Sequence, residues 1–77
     1  MTLDELKKGR VATVTGIADT DPSMAAKLRE VGFAEEDEVE VVHLGPIGGK
    51  PICVRLNRTL IALRAEEAAA IEVETMP

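Results

Sequence analysis

The chain has 77 residues and a formal charge of −5, from 14 acids against 9 bases. A polymer this short buries only roughly 60% of its unfolded surface, so a single domain over residues 1–77 is expected and a second core is excluded. The acidic balance, with Phe33 as the only aromatic, also excludes a general nucleic-acid surface, which needs a basic field and rings on which bases can stack.

The core must therefore be built from Val, Ile, Leu, Ala and Met. One cysteine cannot staple the fold, and with no apolar leader segment a reducing cytoplasm is the expected compartment. No apolar run approaches the ~18 residues of a membrane span.

In chain order, "TLDELKKG" predicts a short N-terminal helix: Thr2 caps, Glu5 completes a capping box and Gly9 provides a left-handed stop, with Leu3 and Leu6 on the buried side. "RVATVTGI", Arg10 to Ile17, is rich in β-branched residues and predicts the first strand, with Gly16 at a bulge that re-aims Ile17. "DTDPSMAAKLREVGF" carries both ends of a helix over about 22–31. Asp21 is the N-cap, Pro22 stands where a missing donor costs nothing, and Gly32 lies just past the end. Met24, Leu28 and Val31 then share a face, and Phe33 is expected to fold back onto Leu28.

After the acidic turn "EEDE", the stretches "VEVVHL", "ICVRL" and "TLIALR" predict three strands in a meander. Across a two-residue Asn57-Arg58 turn, Ile52, Val54 and Leu56 fall opposite Leu63, Ile61 and Thr59. A four-residue "PIGG" loop pairs Val41 with Val54 and Val39 with Leu56, sets Cys53 opposite Val42 on the outside, and sets His43 opposite Ile52 on the inner face. A one-residue slip would bring His43 and Cys53 together, but it would bury Glu40 and expose Val39 and Val41. "AEEAAAIEV" closes the chain as one helical turn and a short strand, Ile71 to Glu74. The expected architecture is mainly β: five short strands in a small barrel closed on itself, with a helical insertion and a short N-terminal helix.

The stretch "GPIGGKP" is not a phosphate loop. A Walker loop needs four residues between its first glycine and the Gly-Lys, then a hydroxyl; here there are three and a proline, between strands. His43 and Cys53 suit zinc or ferrous iron as donors, but two ligands from one chain do not close a site unless a second copy shares them. Glu35, Glu36, Asp37, Glu38 and Glu40 could attract a hard cation, yet they lack the spaced carbonyls of a pre-shaped loop and read as a solvated turn. No serine or second base accompanies His43, so no enzyme is expected.

Taken together, "KLREVGF", "VEVVHLGPIGGKPICVRLNRTLIALR" and "EEAAAIEV" resemble the FeoA family of bacterial ferrous iron transport, from about Leu3 to Glu74. Two departures stand out: Glu35-Glu36 where the family usually has Pro-Gly, which removes a glycine suited to positive φ, and Gly49-Lys50-Pro51 where it has Gly-Asp-Pro. The resemblance implies an SH3-like barrel with a helical insertion, related to the barrels that close iron-dependent repressors of the diphtheria-toxin-repressor type. It also implies an accessory that docks on the cytoplasmic face of the membrane iron permease, a protein with its own GTPase domain, and requires no cofactor.

The residues expected to meet that partner are Ile47 and Lys50 in the hairpin loop and Lys27 and Arg29 on the helix, because an exposed isoleucine in a glycine-flanked loop has no core to serve. Two other readings stay open. One is a free-standing iron or zinc carrier using His43, Cys53 and the acidic turn. The other is a regulatory module of a repressor system. Short open strand edges also allow a homodimer.

Overall fold

The computed structural model describes residues 1–76. The β-branched stretches form five strands, β1 (Val11–Ile17), β2 (Glu38–Gly45), β3 (Gly49–Leu56), β4 (Thr59–Leu63) and β5 (Ile71–Thr75), with helices α1 (Pro22–Val31) and α2 (Ala65–Ala69) between them. The sheet order is β4-β3-β2-β1-β5, and every neighbouring pair is antiparallel.

The short N-terminal helix expected is a single 3-10 turn, Leu3–Glu5, which ends before Gly9. Its buried residues, Leu3 and Leu6, are three apart, the spacing that falls on one side of a 3-10 turn. The Glu5 carboxylate accepts the Thr2 N–H at 2.7 Å, as the capping pattern requires. Gly9 takes its positive φ further on, where its N–H donates to the Val41 carbonyl at 2.7 Å and ties the leader segment to β2.

Helix α1 begins and ends as its sequence signals dictate. Asp21 Oδ1 accepts the Met24 N–H at 3.2 Å, and beyond the helix the Phe33 N–H donates to the Leu28 carbonyl at 3.1 Å. This closing bond folds Phe33 back, so that it and Leu28 are both fully buried in one core cluster. Val31 departs from expectation and is exposed. The stripe of half-buried Met24 and buried Ala25 and Leu28 runs off the helix at Gly32, and Phe33 continues it instead.

Along β1 the pairing with β5 shifts between Val14 and Gly16, leaving Thr15 as the extra residue and returning Ile17 to face Ile71, which is the bulge the glycine suggested. The β3–β4 hairpin keeps the expected register throughout, with Ile52 opposite Leu63, Val54 opposite Ile61 and Leu56 opposite Thr59. Its turn relies on Asn57, at φ 57°, a conformation Asn tolerates better than most residues.

The barrel is closed by packing rather than by a ladder, because no pairing joins β4 to β5. The chain crosses from one edge to the other through the single turn of α2, which packs on the Leu3–Glu5 turn, on β3 and on β5. Ile61 faces into this seam, half-buried against the core.

Candidate protein-docking face

The β2–β3 hairpin carries most of the chemistry-bearing residues, and its geometry starts in the core. Val39 opposes Leu56 and Val41 opposes Val54, all four buried, as the alternation predicts. Beyond Val41 the register shifts: Val42 is left without a partner, His43 opposes Cys53, and Leu44 opposes Ile52. The expected placements of His43 opposite Ile52 and of Cys53 opposite Val42 are therefore corrected. A slip of the whole strand would have buried Glu40, but a bulge confines the slip to the outer half of the hairpin and leaves the valines where they belong.

Directly opposed residues share a face, so exposed His43 and half-buried Cys53 stand side by side on the outside of the sheet. Glu40 and Arg55 form the neighbouring row and pair at 3.1 Å.

The tip is also tighter than a four-residue loop. The Lys50 N–H donates to the Ile47 carbonyl at 3.1 Å, around Gly48 at φ 62° and Gly49 at φ 80°. Positive φ at both central positions is the two-residue turn whose twist matches that of the flanking strands. Below it, Gly45 passes so close to the opposite strand that a Cβ would lie 2.1 Å from the Lys50 carbonyl oxygen. Ile47 is 81% exposed at this tip, and Lys50 beside it is exposed as well.

The helix residues lie elsewhere. Gly32, at the end of α1, packs near Leu56, at the end of β3 opposite to Gly49, seven residues and roughly 20 Å along the strand. Arg29 is exposed there, beside a shallow hollow shared with Ile17, Phe33, Ala34 and Glu35. Lys27 is already engaged: its Nζ donates to Glu67 Oε2 at 2.7 Å. Ile47 and Lys50 thus lie together at the hairpin tip, and the two bases of α1 lie away from it.

Glu67 is the residue that sequence reasoning missed. It is buried, at 7% exposure, and its carboxylate accepts both from Lys27 and from the Arg64 N–H at 2.8 Å. The Lys27 hydrogen bond, followed by that backbone bond, holds its carboxyl below the ordinary value of 4.5. A sequence signal was present only in part, as an acid in the first turn of a short helix.

The acidic turn is held against β1 by the Glu36 N–H on the Val14 carbonyl at 2.7 Å and the Val14 N–H on the Asp37 carbonyl at 2.8 Å. Glu36 itself sits at φ 75°. The departure from Pro-Gly therefore leaves the turn's left-handed residue in place, with a side chain that strains it. Among the described residues no three His, Cys, Asp or Glu side chains gather to hold a metal ion. Among those residues no helix is long and apolar enough to cross a membrane.

Compared with known families, residues 1–75 match the model of the FeoA domain. The chain belongs to the FeoA family.

That family is associated with ferrous iron transport. FeoA from Stenotrophomonas maltophilia, solved as a zinc complex and described as a prokaryotic SH3 domain protein and candidate ferrous iron transport activating factor, is 39% identical. The alignment covers 96% of this chain and 89% of that one, with a TM-score of 0.86. FeoA from Chlorobium tepidum is 34% identical over 100% of this chain and 71% of its own, with a TM-score of 0.87. A manganese-dependent transcriptional repressor shares the fold at 23% identity and a TM-score of 0.85, over 99% of this chain and 41% of that one. The SH3-like architecture expected from the sequence is thus the one observed. A comparison with curated proteins returned no match.

Proposed function

We propose that this FeoA-family chain is a non-catalytic accessory of ferrous iron uptake. In this reading it works in the cytoplasm and docks through the tip of its β2–β3 hairpin on the inner face of the GTPase-containing iron permease. The observation that carries the reading is Ile47: a large apolar side chain, 81% exposed, on a tight two-residue turn whose positive φ values two glycines supply. Loops held by a rigid scaffold are where recognition concentrates, and this isoleucine serves no core. Lys50 beside it supplies a charge that orients an acidic partner and raises the rate of encounter. Arg29 would belong to a second, separate contact.

The test is calorimetry of the reduced protein against the detergent-solubilised permease of the same organism, anaerobically, with and without ferrous iron. Saturable binding that does not depend on metal is expected. Ile47→Asp with Lys50→Glu should weaken it by about tenfold or more, the scale of losing one apolar anchor. Permease binding and iron uptake unchanged in that double variant would sink the docking assignment.

The register of His43 against Cys53 favours a second reading, a weak iron or zinc site on the outer sheet face. Two donors leave a tetrahedral ion half coordinated, so a second copy would have to supply the rest. Zinc uptake at one ion per two chains, lost in Cys53→Ser, would move this reading to first place.

A further inference from the structure

We infer that the free edge of β4 accepts an extended strand from a protein partner whose apolar stretch is flanked by acidic residues. β4 is one end of the sheet, and it bonds to β3 through five consecutive pairs without a bulge. Among the described residues, none of the backbone groups of Thr59–Leu63 forms a bond outside that ladder. Alternate N–H and C=O groups of such a strand point away from the sheet, ready to continue it.

Edges of this kind are ordinarily blunted by charge, proline or a bulge. The other edge, β5, is protected: the Val73 N–H donates to the Met1 carbonyl at 2.9 Å, Thr2 bridges to Glu72, and Glu72 and Glu74 are exposed acids. β4 carries none of these, since its sequence is Thr-Leu-Ile-Ala-Leu. Two apolar side chains are left incompletely covered along it. Leu60 is 60% exposed on the outer face, and Ile61 faces the seam only half-buried. A sixth strand would cover both, one with each of its faces.

Charge selects the occupant. Arg58 and Arg64 bracket β4, both exposed, and neither forms an ion pair among the described residues. In a chain of net charge −5, this edge is flanked by bases at both ends. A second copy fits poorly: antiparallel pairing centred on Ile61 sets Arg58 of one protomer against Arg64 of its partner at both ends, and like charges directly opposed destabilise a ladder. An acid-flanked strand turns both contacts attractive. The reading stands apart from hairpin docking, because it concerns a different surface and needs no permease to test.

The experiment is amide NMR of the labelled, full chain titrated with the peptide Asp-Asp-Val-Thr-Val-Thr-Val-Asp-Asp. Saturable shifts confined to Arg58–Arg64 and adjoining β3 amides are expected. Replacing the flanking Asp by Lys should weaken binding by about tenfold, the sum of two reversed cross-strand charge contacts. Arg58→Glu and Leu60→Glu should do the same while their spectra otherwise keep the native dispersion, which separates lost binding from lost folding. No shifts, shifts centred on the Ile47 hairpin, equal binding of the Lys-flanked peptide, or self-association that Leu60→Glu abolishes would each overturn the inference.

Discussion

Glu36 is the residue at which this chain departs most clearly from local preference. A non-glycine L-residue in the left-handed region loses roughly 1–2 kcal/mol, part of which a glycine would surrender again through its freer unfolded chain. Glu36→Gly should therefore raise stability by about 0.5–1 kcal/mol, read as a higher urea midpoint at unchanged slope. A midpoint that falls instead would mean that the Glu36 side chain makes a contribution larger than its backbone strain. The sequence showed that a glycine was missing here. It did not show whether the turn would be rebuilt, because that depends on the two hydrogen bonds to Val14 that fix the backbone from outside.

At the scale of elements, caps and hairpins were the legible part. Asp21, Pro22 and Gly32 bound α1 as their chemistry requires, and the Asn57 turn set the β3–β4 register without ambiguity. The Val42 bulge was illegible because alternation assigns one face per residue and has no symbol for a residue that counts twice. The Lys27–Glu67 tie was illegible for another reason: its partners are forty residues apart and meet only after the sheet has formed. That tie joins the inserted helix α1 to α2, and it has a pH signature. A carboxyl held lower in the folded chain than in the unfolded one contributes fully above its ordinary value of 4.5, and that contribution is lost as pH falls toward the lowered value. Glu5, lowered by the Thr2 N–H, acts in the same sense. Unfolding followed by urea at a series of pH values should show stability falling below about pH 5, with a visibly shallower fall in Glu67→Gln and in Lys27→Met. An acid limb equally steep in both variants would place its origin elsewhere. Lys27→Met should also cost roughly 1 kcal/mol near neutrality, no more, since its side chain is 60% exposed and its pairing is partly screened by water.

At the scale of the whole molecule, the balance of stability is narrow. A domain of this size holds roughly 4–12 kcal/mol, and removing a buried phenylalanine ring costs about 3–5 kcal/mol. Phe33 is the chain's one aromatic, 1% exposed, and it packs with Leu28 where the helix closes onto the sheet. Phe33→Ala should lower the thermal midpoint by at least about 12 °C, whereas Val31→Ala, on the exposed side of the same helix, should move it by only a few degrees. Comparable losses in the two variants would mean that α1 packs by a different face. Sequence patterning identified Phe33 correctly because a single aromatic beside a helix-stopping glycine has few places to go. It misjudged Val31 because periodicity continues to the last residue of a helix, while the core beneath it ends earlier. The bulge at Val42 has a further consequence. It makes the tip of the β2–β3 hairpin a replaceable cartridge: residues 44–51 could be exchanged for a tip of different length or chemistry, grafted from another barrel, with Ile52 kept in the core and without re-phasing a single valine beneath them.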